Sequence, residues 1–122
     1  MKQENIILDK SFDFAVRIVK LFKYLSNEKK EYILSKQLLR CGTSIGANIN
    51  EAQAAQSKKD FISKMSISSK EARETKYWID LLISTDYLKE QDNHVQSLVN
   101  DTEEIIKLLT TIIKSSQGRN NV

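Results

Sequence analysis

Residues 34–52 of the chain read LSKQLLRCGTSIGANINEA, and this stretch decides the fold class. Its apolar residues recur at intervals of four and three, at Leu34, Leu38, Cys41, Ile45, Ile49 and Ala52. Intervals that alternate between three and four keep side chains on one face of an α-helix. The stretch therefore predicts an amphipathic helix, which we expect to run from about residue 30 to about residue 55.

Three further segments have the same periodicity, and they predict helices over about residues 11–25, 58–84 and 91–116. Ser11 and Ser57 are the predicted N-caps of the first and third helices, because a serine hydroxyl accepts a hydrogen bond from a free backbone N–H of the first turn. Short polar connections make successive helices antiparallel. The sequence thus predicts an all-α, antiparallel up-down-up-down four-helix bundle, a single domain over residues 1–122 with an N-terminal arm at 1–10 and a frayed tail at 117–122.

The composition of the chain supports this fold class. Among 122 residues there are no prolines and three glycines, whereas average usage would give about six and about eight. Folds built from many tight turns need more of both, so an all-β architecture is disfavoured. The single Cys41 cannot form an internal disulfide, and no segment has the apolar run of a signal peptide or a membrane span. We therefore expect a cytoplasmic protein with no membrane partner.

The positive charge of the chain is unevenly distributed. The formal net charge is +3, but residues 1–84 carry 15 Lys and Arg against 10 Asp and Glu, while residues 85–122 carry 4 against 6. Cations on the first three helices predict a nucleic-acid-binding face, because phosphate contacts depend on charge and not on base sequence. The candidates are Arg17, Lys20, Lys23, Lys36, Arg40, Lys70, Arg73 and Lys76. The alternative is an ordinary solvated face, since Glu71 and Glu74 interrupt the third group.

Two glycines interrupt the second predicted helix. Gly42 and Gly46 are four residues apart and so face the same way, although each costs a helix about 1 kcal/mol relative to alanine. Their pairing predicts a groove in which another helix, of this chain or of another, approaches closely. The alternative is a long helix that tolerates two imperfect residues.

Five polar or aromatic residues complete the predicted packing or oligomer surface. Ser44, Asn48 and Glu51 lie on one flank of the second helix, where they form either a polar layer bonded to the third helix or an exposed face. Tyr77 and Trp78 are adjacent, so one of the two points away from the bundle axis. That ring either anchors a partner or packs at a helix interface.

No set of residues has the spacing of a catalytic or metal site. Di-metal sites in helical bundles use Glu-x-x-His motifs, whereas Glu71 and Glu74 form a Glu-x-x-Glu, with Arg73 available to neutralise it. The single histidine, His94, stands outside such a motif, and there is no phosphate-binding glycine loop. We predict no catalytic residues, no metal and no cofactor, and hence no enzyme activity.

The run 38–52, LLRCGTSIGANINEA, resembles the signature of the four-helix-bundle proteins encoded in intervening sequences of 23S ribosomal RNA genes. Lys59-Asp60-Phe61, the run 70–78 (KEARETKYW) and Ser11-Phe12 strengthen the resemblance, which spans roughly residues 10–115. Many relatives have proline where this chain has Gly46. The resemblance implies an antiparallel bundle that assembles into a homopentamer. It also implies a fold similar to that of the accessory variability determinant protein of diversity-generating retroelements, a basic pentamer that works with a reverse transcriptase and RNA.

Two functions from different classes follow from these observations. The first is a non-enzymatic, homo-oligomeric, pentameric bundle that associates with RNA, DNA or a ribonucleoprotein through a basic face. The alternative is a protein–protein adaptor that binds no nucleic acid and uses Tyr77 and Trp78, or the Gly42/Gly46 groove, to hold a protein partner.

Overall fold

The computed structural model describes the backbone of residues 2–118 and the side chains of residues 6–118. These residues form four α-helices and no strand: α1 spans Lys2–Asn27, α2 spans Leu34–Ala52, α3 spans Lys58–Ser84 and α4 spans Asn93–Gly118. Each helix packs against the next along the chain, and α1 also packs against α4. The predicted four-helix bundle is confirmed.

The contacts between α1 and α2 show that the two helices run in opposite directions. Gly42 of α2 lies against Ile18 of α1, whereas Gly46, one turn later, lies against Ser11. A register in which one residue number rises as the other falls is that of an antiparallel pair. Both glycines therefore make room for α1 of the same chain, which identifies the helix that fills the predicted groove.

Contacts between α2 and α3 and between α1 and α4 show that these two pairs are antiparallel as well. From α2 to α3, Arg40 pairs with Glu74 and the Ile45 carbonyl accepts from Ser68, while Glu51 pairs with Lys64. From α1 to α4, Arg17 pairs with Asp101 and Lys10 with Glu104. The four helices thus form a ring in which α1–α4 and α2–α3 are opposite sides.

The bundle core follows the periodicity of the sequence. The predicted stripe on α2 is buried at Leu38, Cys41, Ile45, Ile49 and Ala52. Buried residues on the other helices complete the core, among them Phe14, Ile18, Leu25, Met65, Ile79, Leu82, Ile105 and Leu109. Burying each large aliphatic side chain contributes about 1.5–3 kcal/mol, so this core holds the helices in register.

The first helix begins earlier than predicted. α1 starts at Lys2, so the expected N-terminal arm is wrong for residues 2–10, and the predicted N-cap at Ser11 is wrong because Ser11 lies inside the helix. Ile7 is fully buried and Ser11 is 1% exposed, which extends the apolar face of the helix past the serine. The Ser11 hydroxyl donates to the Leu8 carbonyl instead of capping the helix. Gln117 and Gly118 close α4, and the rest of the predicted tail lies outside the described residues.

The second helix is shorter at both ends than predicted. Lys30 has a φ of 56°, a left-handed conformation that is incompatible with the predicted helix start at this residue. Glu31 then accepts from the backbone N–H groups of Ile33, Leu34 and Ser35, so α2 begins after it, at Leu34. The helix ends at Ala52 instead of near residue 55.

The third and fourth helices are capped by polar side chains. Ser57 accepts from the Asp60 backbone N–H at 3.0 Å, which confirms that N-cap. Asp92 accepts from the His94 backbone N–H at 2.9 Å and opens α4 at Asn93, two residues later than predicted. None of the helices in the described part of the chain is both long and apolar enough to cross a membrane.

Candidate nucleic-acid interface

A cavity of about 650 Å³ lies between the second half of α1 and the start of α4. The connection between α3 and α4 contributes Tyr87, Leu88 and Lys89 to its lining. Leu88, Val95 and Leu98 are 5–7% exposed and supply apolar surface to its lining. We call this space the α1–α4 cavity. Its volume is that of a small-molecule site.

Arg17, one of the predicted nucleic-acid-binding residues, lines the α1–α4 cavity. Its Nη1 donates to Asp101 Oδ2 at 2.7 Å and to Ser97 Oγ at 3.1 Å, while Nη2 donates to the His94 carbonyl at 3.1 Å. The guanidinium thereby joins α1 to α4, and Asp101 offsets part of its charge.

Three lysines stand around the rest of the cavity: Lys20 on α1, Lys29 after α1 and Lys89 before α4. None of them forms an ion pair with an Asp or Glu side chain among residues 6–118. The Lys29 Nζ lies 6.0 Å from the centre of the Tyr24 ring. Only Lys20 was among the predicted residues, because Lys29 and Lys89 are in connections where the sequence has no helical periodicity.

The remaining ionisable residues that line the cavity offset only a small part of its positive charge. Among residues 6–118, Asp92 is the one carboxylate in the lining, and it accepts a hydrogen bond from the His94 backbone N–H at the start of α4. The positive end of a helix stabilises a carboxylate placed there. His94 is exposed, as predicted for a residue near a helix start. The cavity therefore has an excess of cations with few competing anions.

Arg40 lies on the opposite side of the bundle, between α2 and α3. Its guanidinium pairs with Glu74 and also approaches Glu71 at 3.4 Å. The hydrogen bond from Arg40 to Glu74 is the main cause of a raised pKa for Arg40. The pKa of Glu74 is lowered, first by the hydrogen bond from Trp78 Nε1 and then by that from Arg40. Arg40, and not Arg73, is thus the cation that neutralises the Glu-x-x-Glu pair.

The remaining predicted cations occupy other surfaces. Lys23, Lys36, Lys70 and Arg73 are exposed. Lys76 is half-buried and pairs with Asp80 one turn later, at 3.0 Å. Since Arg17 and Lys20 line the α1–α4 side and Arg40 the α2–α3 side, the eight predicted residues do not share one face.

The polar residues of α2 bond mainly to their own helix. Ser44 Oγ donates to the Arg40 carbonyl at 2.6 Å, and Asn48 Nδ2 donates to the Ser44 carbonyl at 2.8 Å. Glu51 is exposed and meets Lys64 of α3 at 3.3 Å. Ser68 forms a buried polar link between the two helices, because its hydroxyl donates to the Ile45 carbonyl at 2.9 Å.

Tyr77 and Trp78 divide between surface and core. Tyr77 is 59% exposed, whereas Trp78 is half-buried and donates from Nε1 to Glu74 at 3.0 Å. The two rings meet edge to face, with centres 5.2 Å apart. Trp78 therefore packs on the bundle and supports the ring of Tyr77, which is the outward member predicted from their adjacency.

Reactive groups are dispersed in the described part of the chain. Cys41 is buried, and burial is the main reason that its thiol pKa is raised. Among residues 6–118, no three His, Cys, Asp or Glu side chains come together in a way that would hold a metal ion.

Two comparisons relate the chain to known proteins. The family described as 23S rRNA-intervening sequence protein matches residues 3–111. The fold is similar to that of a protein with unknown function from the S23 ribosomal protein family of Bacteroides thetaiotaomicron VPI-5482, in a crystal structure at 1.70 Å resolution. The two chains are 56% identical over 92% of this chain and 98% of that one, with a TM-score of 0.88. No curated protein matches the chain.

Proposed function

The chain belongs to the 23S rRNA-intervening sequence protein family, and from this membership we propose that it is a non-enzymatic, homo-oligomeric bundle that binds RNA. The observation that supports RNA binding is the group of cations around the α1–α4 cavity. Lys20, Lys29 and Lys89 have no carboxylate partner among the described residues. Cations without a partner retain the charge that phosphates require. The ribosomal family name of the related structure favours RNA as the polyanion to test first.

The proposal assigns most of the phosphate contacts to the cavity edge and not to the α2–α3 side. Arg40 is already paired with Glu71 and Glu74, and Lys76 with Asp80. A cation that exchanges a carboxylate for a phosphate contributes less binding free energy than a cation that had no partner, because the exchange leaves the carboxylate unpaired. Lys70 and Arg73 form no ion pair among residues 6–118 either, but they do not line the cavity.

The experiment is a titration of labelled RNA hairpins and single strands with the wild-type protein at several salt concentrations. For single strands, the logarithm of affinity should fall with the logarithm of salt by about 0.7 for each phosphate contact. Lys20→Glu with Lys89→Glu should weaken binding at least tenfold and reduce that slope. The matched control is Lys70→Glu with Arg73→Glu, the same charge change on exposed residues of α3. Binding of no RNA at low salt, or binding that the Lys20/Lys89 change leaves intact, contradicts the proposal.

Homo-oligomerisation is the second part of the proposal, and the pentameric state is what the family resemblance implies. Exposed apolar side chains support it: Phe12 and Val16 on α1 are 69% and 40% exposed, and Ile67 on α3 is 43% exposed. α1 and α3 are diagonal in the ring of helices. A closed ring with an odd number of subunits needs two different complementary patches on each subunit, and diagonal helices provide such a pair.

The proposal includes neither catalysis nor a cofactor, and it places the protein in the cytoplasm. The support for the absence of catalysis is the burial of Cys41 in α2, which shields its thiol from solvent. The free thiol of Cys41 suits a reducing compartment.

An adaptor that binds protein alone is the alternative, and the exposed Tyr77 ring on Trp78 is the observation that favours it. Tyrosine is enriched among the residues that dominate binding energy at interfaces. Tyr77→Ala should then abolish capture of a protein partner, while RNA binding is absent from the wild type. If the Tyr77→Ala variant still captures the same protein partner, the adaptor proposal is contradicted.

A further inference from the structure

The α1–α4 cavity combines two kinds of surface that a phosphate site alone does not require. Its edge has the lysines described above, whereas its lining includes the apolar side chains of Leu88, Val95 and Leu98. An inorganic anion would use the edge and leave the apolar lining wet. A purely apolar ligand would leave the cations without a partner. The ligand that satisfies both surfaces has an anionic part and a flat or apolar part.

Two tyrosines of the cavity indicate that the flat part of the ligand is an aromatic ring. Tyr24 of α1 is 44% exposed and Tyr87, from the connection before α4, is half-buried, and both line the cavity. A tyrosine ring in a cavity offers a stacking surface to a nucleobase, and unpaired bases are commonly held on such rings. The Lys29 Nζ lies over the Tyr24 ring, 6.0 Å from its centre, which places a cation on one face of that ring.

The size of the cavity favours an unpaired base over a paired one. A volume of about 650 Å³ is in the range of sites that enclose a small molecule, and it is far smaller than a segment of duplex. A base within a duplex is stacked on both faces and must be extruded before a protein ring can stack on it, which costs free energy. An unpaired base meets no such cost.

We infer that the α1–α4 cavity is a nucleotide pocket in which Tyr24 and Tyr87 hold an unpaired base and Lys20, Lys29 and Lys89 hold its phosphate. This inference rests on the proposed RNA binding and deepens it, because it predicts a preference for single-stranded over duplex RNA. The same chemistry also occurs in a free mononucleotide, so the source of the nucleotide is a separate arm of the test.

The test measures the affinity of the wild-type protein for a labelled single-stranded octanucleotide, for the matching duplex, and for adenosine and uridine 5′-monophosphate as competitors. The single strand should bind at least tenfold more tightly than the duplex. Tyr24→Leu removes the ring from a partly exposed position, so the fold is retained, and it should weaken single-strand binding about tenfold. The matched control is Tyr77→Leu, on an exposed tyrosine of α3 outside the cavity, and it should have no effect.

The possible outcomes separate this inference from the proposed function. RNA binding that Lys20→Glu with Lys89→Glu weakens but Tyr24→Leu does not overturns the nucleotide pocket and leaves RNA binding in place. Equal affinity for single strand and duplex overturns it as well. Mononucleotide binding that Tyr24→Leu abolishes, with no RNA binding, supports the pocket for a free nucleotide and overturns the RNA proposal. Binding of neither ligand overturns both.

Discussion

Glu31 and Ser35 are bonded to each other in both directions at the start of α2. The Glu31 Oε1 accepts from the Ser35 backbone N–H at 2.7 Å, and the Ser35 hydroxyl donates to the Glu31 carbonyl at 2.8 Å. Glu31 also accepts from the N–H groups of Ile33 and Leu34. One largely buried carboxylate thus satisfies three backbone donors that an α-helix leaves free at its start.

This arrangement predicts a pH-dependent contribution of Glu31 to stability. Burial alone would raise the pKa of Glu31, but the hydrogen bonds from the Leu34, Ser35 and Ile33 N–H groups outweigh burial and lower it. A lowered pKa in the folded state stabilises the fold above the ordinary carboxylate pKa, and the effect is lost as pH falls through the lowered value. Glu31→Gln should therefore reduce the free energy of unfolding by about 1–2 kcal/mol at pH 7, with a smaller difference near pH 3. Urea denaturation at the two pH values measures both. The same loss at both pH values would show that the charge of Glu31 does not matter. Glu28→Gln, on an exposed neighbour, is the control.

Gly42 gives a second prediction, because no side chain fits at its position. A Cβ on residue 42 would lie 2.8 Å from Ile18 Cγ1 and 2.9 Å from Cγ2, and Ile18 is fully buried. Gly42→Ala should lower the free energy of unfolding by about 1–2 kcal/mol, since overpacking of this kind exceeds the gain in helix propensity. Gly46→Ala should cost less, because its nearest contact, the Ser11 carbonyl, is at 3.3 Å.

A double-mutant cycle tests that explanation for Gly42. Ile18→Ala removes the γ-carbons that cause the contact, so Gly42→Ala should become neutral or stabilising in that background. Thermal or urea unfolding of the four proteins gives the coupling free energy. Equal effects of Gly42→Ala with and without Ile18→Ala would exclude the contact as the cause.

We expect the thiol of Cys41 to react slowly with labelling reagents in the native state. Its side chain is fully buried in α2, its Sγ donates to the Leu38 carbonyl at 3.7 Å, and burial is the main cause of its raised pKa. A thiol reacts as the thiolate, so labelling by a disulfide reagent at pH 8 should require opening of the bundle. The rate should be orders of magnitude below that of the urea-unfolded protein. Labelling of the native protein as fast as the unfolded one would place Cys41 at the surface.

A charge introduced at Phe12 should disrupt the proposed oligomer. Phe12 is 69% exposed on α1, and a glutamate there would be desolvated without a partner inside an apolar interface. Phe12→Glu should convert an assembly of about five 14.0 kDa subunits into a smaller species in light scattering. Tyr32→Glu is the control, since Tyr32 is 52% exposed in the connection between α1 and α2. A wild-type monomer at micromolar concentration would refute the oligomer itself.

The fold could be predicted from the sequence because the helical spacing is regular where the core is. Leu38, Ile45 and Ile49 are fully buried as their intervals indicate, and Ser57 caps α3 as predicted. Ser11 misled the prediction because a serine hydroxyl bonds equally well to a carbonyl within a helix. The Ser11 hydroxyl donates to the Leu8 carbonyl within α1.

The candidate site was less accessible to prediction than the fold. Periodicity selects residues on helices, whereas Lys29 and Lys89 lie in connections that the bundle brings to the same end. The carboxylate partners of Arg40 are also set by packing, since Glu71 and Glu74 are on the neighbouring helix. Only the three-dimensional arrangement distinguishes a cation that is free for a ligand from one that already has a partner.

The ion pair between Arg17 and Asp101 joins the first helix to the last, across a sequence separation of 84 residues. The other helix pairs join neighbours along the chain, so loop closure costs them less entropy. We therefore expect the α1–α4 side to form late in folding, and the cavity requires α4, which supplies part of its lining. A ligand that contacts both α1 and α4 in the cavity should therefore stabilise the packing of these two helices.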